Sequence, residues 1–241
     1  MWSWCALALP ALLGAQTAGT IVKVSGTAAV VQPPSKAGQN QTQAVAKVGD
    51  KFHWRDALQT AAGGRLRVQL LDGSILSIGQ RTKLVVNKHD ERTQQSSFEL
   101  IQGKLRANVV HLTRTDSSFE IRTSPCVMGV LGGGDILVDA DNPTNTVVWA
   151  SSGKVVMNCW NWEPARRLEV PGGYCALSSE GILHPLTADM LDQMDKFSLL
   201  NKLSDTIAVL KSKFSNMGLS GQPRHPLTAL AVPITRGRYV T

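Results

Sequence analysis

The sequence predicts a mainly β protein of stacked short strands, resembling a β-solenoid or twisted β-sandwich, with an amphipathic helical segment near the C-terminus. The first observation is a phrase that recurs four times: apolar residues, a glycine, then more apolar residues. It is centred on Gly73, Gly103, Gly132 and Gly153. A glycine between apolar strands supplies the positive φ of a tight turn, and these four are read as turn glycines. The second observation is length. Each copy is too short to bury its own apolar face, so the copies must pack on one another. The third is a change of period at Leu186, where apolar residues begin to recur in steps of three and four.

Taken in order, residues Met1 to Ala15 read as a secretory leader. The run from Trp2 to Ala15 is apolar except for Ser3 and ends in Gly14-Ala15. It is shorter than the ~20 residues a spanning helix needs. Cleavage after Ala15 or Ala18 follows, and the leader is bounded at residues 1–18. No Lys or Arg precedes the run, so the free amino terminus must supply the charge or the true start lies upstream. Residues 19–185 form the β domain. Gly19 to Gln32 reads as strand, turn, strand, and Pro33 to Gln43 as a surface loop. A hairpin crosses Asp72-Gly73, and the charged stretch His89 to Ser97 reads as a loop tip. The units from Phe98, Phe119 and Val147 complete the body.

Residues 186–217 carry the helical stripe, through Met190, Met194, Phe197, Leu203, Ile207, Leu210 and Phe214. Thr187 is a fair N-cap, and Gly218 a stop. Such a stripe either caps the β body or meets a partner, self-association included. Residues 218–241 are expected to be a loosely ordered tail.

The 241-residue chain is 43% hydrophobic and 18% charged, the balance of a globular protein. Its net charge of +7 is mild, it has no run of five basic residues, and aromatics make up 5%. That excludes the stacking platforms and basic tracts of a nucleic-acid binder. Export would remove Cys5 and leave Cys126, Cys159 and Cys175, with no CxxC pair. Three thiols in an oxidising compartment suggest one disulfide and one buried thiol, with Cys159 and Cys175 on neighbouring strands as the candidate pair. The other reading is three small buried apolar residues.

The residues of catalysis do not assemble in the sequence. His53, His89, His111, His184 and His225 stand singly and read as surface or turn residues. Gly132-Gly133-Gly134 lacks the Lys-Ser/Thr and the helix that a phosphate loop requires. Asp139-Ala140-Asp141-Asn142 lacks the glycine and distal glutamate of an EF-hand and reads as a solvated loop. Arg65, Arg67 and Lys104 are close in pattern but have no acidic cluster beside them in the sequence. The expectation is therefore no enzyme, no metal and no cofactor.

Read in order, the units resemble a FecR domain. The opening runs through Val24-x-Gly26, Val48-Gly49-Asp50, Leu58-Gln59-Thr60 with Gly63-Gly64, and Leu71-Asp72-Gly73-Ser74 with Leu76 and Ile78. The continuation is Leu100-x-x-Gly103-x-Leu105, Phe119-Glu120-Ile121-x-Thr123-x-Pro125, Gly129-Val130-Leu131-Gly132, and Thr146-Val147-x-Trp149 with Gly153-Lys154-Val155. The resemblance spans roughly residues 19 to 160. Where the family has Gly-Val-Arg-Gly-Thr, this chain has Leu131 for the arginine, a glycine for the threonine, and one extra glycine. No role of that arginine carries over.

The resemblance implies an exported, stand-alone sensor or regulatory module that binds an envelope protein or polysaccharide in the periplasm or cell envelope. Composition speaks against a nucleic-acid partner, and no stretch of the mature chain is long and apolar enough to be expected as a transmembrane helix. Two alternatives stay open: a polysaccharide-active enzyme on a β-solenoid, and a FecR-type transmembrane signalling regulator whose start is misassigned.

Overall fold

The structure, a computed structural model, describes residues 16–34, 40–163 and 166–197. Its strands join in one curled sheet organised by two long neighbours, β12 (Cys126–Asn142) and β13 (Asn145–Cys159). One edge of β12 carries β13 along its whole length. The other edge is divided. Its first part, Val127 to Val130, holds β11 (Ser118–Arg122), and its second, Gly134 to Asp139, holds β10 (Lys104–Val109).

Two arms therefore leave the same edge. From β11 one arm continues through β9 (Gln95–Gln102), β8 (Lys83–Asp90), β5 (Ala57–Thr60), β2 (Ala28–Gln32) and β3 (Thr42–Val45). From β10 the other continues through β7 (Ile75–Ile78), β6 (Arg65–Leu70), β1 (Thr17–Ser25) and β4 (Lys51–His53). The three residues Trp54 to Asp56 join β4 to β5, so the far end of one arm is tied back to the other. Between the arms lies one core, with Leu58, Leu84, Phe98 and Leu100 from the first and Leu66, Leu76, Ile78 and Leu105 from the second. Phe98 and Phe119 stack in it at 5.2 Å. On the free edge of β13 sit β14 (Leu168–Pro171) and β15 (Tyr174–Leu177), and β16 (Leu183–Pro185) pairs with β15.

The fold is mainly β, as expected, but its recurring units do not stack as solenoid coils. Every strand pair among the described residues is antiparallel except β9 with β11. The units meet edge to edge in a sheet that closes over its own apolar face.

All four glycines named above have positive φ, but they serve two purposes. Gly73 turns the β6–β7 hairpin, and Gly103 the step from β9 to β10. Gly132 and Gly153 lie inside β12 and β13 and reverse nothing; the chain turns back between Asn142 and Asn145. With Gly133 and Gly134 they form a bulge where the register shifts between Leu131 and Gly134. A β-carbon on Gly134 would lie 2.5 Å from the Ser152 carbonyl oxygen, and one on Gly133 2.7 Å from that of Val110. Glycine here allows backbones to close up where the two arms diverge. At Gly73 a β-carbon would make only an ordinary contact, 3.7 Å from Val110 Cγ1, so φ is what is at stake. Gly73→Val is expected to cost more than about 1 kcal/mol, since a β-branched residue resists positive φ. An unchanged denaturant midpoint would refute that.

The cysteine pairing expected from the sequence is corrected. Cys159 is bridged to Cys126, its register partner across β12 and β13. Cys175 lies opposite Trp149 on another part of β13 and is a buried free thiol. Proximity along the chain suggested Cys175, but strand register decides which sulfurs meet.

The β body also begins earlier than residue 19. Thr17 and Ala18 belong to β1, Ala18 is buried, and the Gln16 carbonyl accepts a hydrogen bond from the Trp54 N–H at 2.9 Å. A cut after Ala15 leaves the strand whole, and a cut after Ala18 removes its start. Residues 1–15, the core of the expected leader, lie outside the described residues. So do Leu203, Ile207, Leu210 and Phe214 of the stripe, and the tail 218–241. Among the described residues no helix is long and apolar enough to cross a membrane.

His89, expected at a surface loop, is buried at the end of β8. Its Nδ1 lies 2.8 Å from Ser96 Oγ, its carbonyl accepts from the Trp54 indole at 2.7 Å, and Nε2 has no partner. Burial pushes its pKa below the ordinary value against the opposing pull of Asp72, Glu91 and Asp90. A depressed folded pKa means the unfolded chain binds the proton more readily. Stability from this group is thus complete above the unfolded value, about 6.5, and falls as pH drops through the folded one. Melting temperature is expected to decline on acidification below pH 6.5, and His89→Gln to flatten that limb. A wild-type slope in the variant would show that other groups cause it.

Candidate functional site

Strand alternation in β10 sends Leu105, Ala107 and Val109 into the core and Lys104 and Arg106 to the opposite face. The register continues that outer row across the sheet. Arg67 faces Ser77, Ser77 faces Arg106, Arg106 faces Leu137, and Leu137 faces Trp149. An outward row of this kind belongs in water, yet Arg67 and Arg106 are each only 4% exposed.

The cover is α1 (Ala188–Phe197), opened by Thr187, whose Oγ1 accepts from the Met190 N–H at 3.3 Å. Met194 is fully buried, and Phe197 lies over Gly79, where a β-carbon would come within 2.5 Å of its ring. The described part of the stripe therefore packs on the β body. Met190 is half-buried, and Leu191 points outward.

Arg106 joins helix to sheet. Its Nε and Nη2 donate to both oxygens of Asp135, at 2.8 and 2.6 Å. Nη1 donates to the Met194 carbonyl at 2.5 Å, and Nη1 and Nη2 both reach Asp195 Oδ1 at 3.1 Å. Asp135 in turn accepts from Ser151 Oγ at 2.8 Å. A second arginine, Arg65, donates to the Lys196 carbonyl at 3.2 Å. Both arginines meet carbonyls of the last helical turn, where the helix dipole favours cations. Burial works against the Arg106 charge, but Asp135, then Asp195, outweigh it and raise the pKa.

Lys104 stands beside this latch. Its Nζ donates to Asp139 Oδ2 at 2.7 Å and lies 3.6 Å from Asp141. Burial opposes its charge, and the Asp139 and Asp141 carboxylates reverse that and raise its pKa. The loop expected at Asp139–Asp141 is thus the end of β12, and Lys104 does have acids beside it, brought there by β10–β12 pairing from far along the chain. Among the described residues no group of three or more His, Cys, Asp or Glu could hold a metal ion.

Between the helix and the outer face lies a cavity of about 300 Å³. Leu137, Trp149 and Phe197 supply its apolar wall, Gln80 and Gln193 its amides, and Arg65, Arg81, Lys104 and Lys196 its charge, with Asp141 the lone acid. Sequence reading did not single out Arg106, Asp135, Arg81 or this cavity. The alternation Lys104-Leu105-Arg106-Ala107 signals which way Arg106 points; no local pattern signals that a helix covers it.

Residues 56–156 match the family model described as FecR protein. That span is a FecR domain. The matched span runs from β5 through most of β13 and includes Arg65, Arg81, Lys104, Arg106, Asp135 and Trp149. It ends before α1, so the FecR domain supplies the outer face and a segment beyond it supplies the cover. Two crystal structures of a candidate anti-sigma factor from Parabacteroides distasonis ATCC 8503 are similar to the chain, at 19% and 18% identity and a TM-score of 0.44 each. Each match covers 54% of this chain and 59% of the other, so the chain spans little more than half the length of those proteins. No curated protein matches the chain.

Proposed function

We propose that the protein is a non-enzymatic, extracytoplasmic binding and regulatory module that engages a component of the cell envelope. The FecR domain over residues 56–156 carries this reading. Two features agree with it. The β body holds a Cys126–Cys159 bridge, the mark of an oxidising compartment. The segment before β1 has the composition of a leader, and β1 begins just after Ala15.

The competing reading, a polysaccharide-active enzyme, needs carboxylates available for acid and base work. On the outer face Asp135 is held by Arg106 and Ser151, and Asp139 by Lys104. The cavity itself is lined by one acid, Asp141, where such chemistry uses a pair, and this favours binding as the use of the face.

The test is co-sedimentation of the purified chain with washed envelopes. The expected result is saturable retention on envelopes and none on cytosolic particles. A chain that stays in the supernatant with both would refute the reading.

A further inference from the structure

We infer that the cavity beneath α1 binds an acidic sugar unit, a hexuronate, with its carboxylate on Arg81 and its ring against Trp149. The inference rests on the binding-module reading above and names the ligand class of one site.

The side-chain contacts around the cavity point to a carboxylate held at Arg81. Lys104 is paired with Asp139 and Lys196 with Asp192, and the Arg65 guanidinium is turned to the Lys196 carbonyl. Of the four cations only Arg81, whose backbone N–H donates to the Ala61 carbonyl, has a side chain with no hydrogen bond or ion pair among the described residues. The open guanidinium fork of Arg81 matches a carboxylate, which it can grip with two parallel N–H donors.

The backbone supports a functional use of Arg81. Its φ is +50°, in the left-handed region that side chains other than glycine and asparagine resist. An arginine held in such a conformation at a cavity rim is strain kept at a site of use.

The remaining walls suit a sugar ring. Trp149 and Leu137 give a flat apolar surface for the C–H face of a pyranose. The Trp149 indole N–H and the Gln193 amide have no hydrogen-bond partner among the described residues and are available to hydroxyls. The volume, about 300 Å³, is at the small end of ligand cavities and fits a terminal unit rather than a long chain.

Titration calorimetry on the full chain tests this with digalacturonate, galactobiose, acetate and inorganic phosphate. Digalacturonate is expected to bind at least ten-fold tighter than the other three. Arg81→Gly should weaken digalacturonate at least ten-fold yet melt no lower than the parent, because glycine accepts the positive φ. That second readout separates lost binding from lost folding. Absence of digalacturonate binding, equal affinity for galactobiose, acetate or phosphate, or full affinity in Arg81→Gly would each overturn the site. If envelope co-sedimentation persists when digalacturonate fails, this site alone is wrong; if both fail, the binding-module reading falls with it.

Discussion

Arg106→Ala is expected to lower the free energy of unfolding by about 3–5 kcal/mol, the cost of removing one partner from a buried ion pair. The arginine is 4% exposed and satisfies both oxygens of Asp135 and the Met194 carbonyl at once. Truncation leaves the Asp135 carboxylate with Ser151 alone and a helix-terminal carbonyl without its donor. It also frees α1, so Met194 gains water on the outer face. Arg106→Lys should recover only part of the loss, because a point charge cannot fork onto Asp135 and reach the helix together. Asp195→Asn is the control. Its side chain is 54% exposed, and an ion pair so open to solvent contributes at most about 1 kcal/mol. Urea unfolding of the three variants decides the matter. A loss of less than about 1 kcal/mol in Arg106→Ala would mean that the helix is held by Met194 and Phe197 rather than by the latch.

Removing the disulfide should have an effect of similar size. The bridge closes a loop across a sequence separation of 33. Chain-entropy arguments give about 3–4 kcal/mol for a loop of that length. Its location adds to this, because it ties together the start of β12 and the end of β13, the two strands on which both arms depend. The double variant Cys126→Ala/Cys159→Ala is expected to melt lower by that free energy, and reductant to lower the parent by the same amount. Cys175→Ala should keep the parent's response to reductant. If Cys175→Ala abolished that response, the bridge would be the one expected from the sequence, Cys159 with Cys175.

These predictions fall where the sequence is least legible. The β class, the hairpin at Gly73, the step at Gly103 and the start of the helix at Thr187 can all be read from local pattern. Each depends on neighbours within a few residues. The long strands β12 and β13 cannot, because Gly132, Gly133, Gly134 and Gly153 look like turns unless the partner strand is known to run past them. The pairing of Cys126 with Cys159 follows from register, which the Asn142–Asn145 reversal sets at a distance. Arg106 shows its direction through alternation and hides its burial, because the helix that covers it lies far along the chain. His89 sits in a charged stretch that reads as a loop, and only the Trp54 and Ser96 contacts show it to be interior.

The central claim, an exported FecR module with the Cys126–Cys159 bridge, is tested most directly by mass spectrometry of the chain recovered from fractionated cells. Free thiols are trapped with an alkylating agent in denaturant as each fraction is opened, because Cys175 is buried. The expected product is extracytoplasmic, begins at Gln16, carries one alkyl group on Cys175, and yields a disulfide-linked peptide pair containing Cys126 and Cys159. A cytosolic chain that retains Met1 to Ala15, with Cys126 and Cys159 both alkylated, would contradict it.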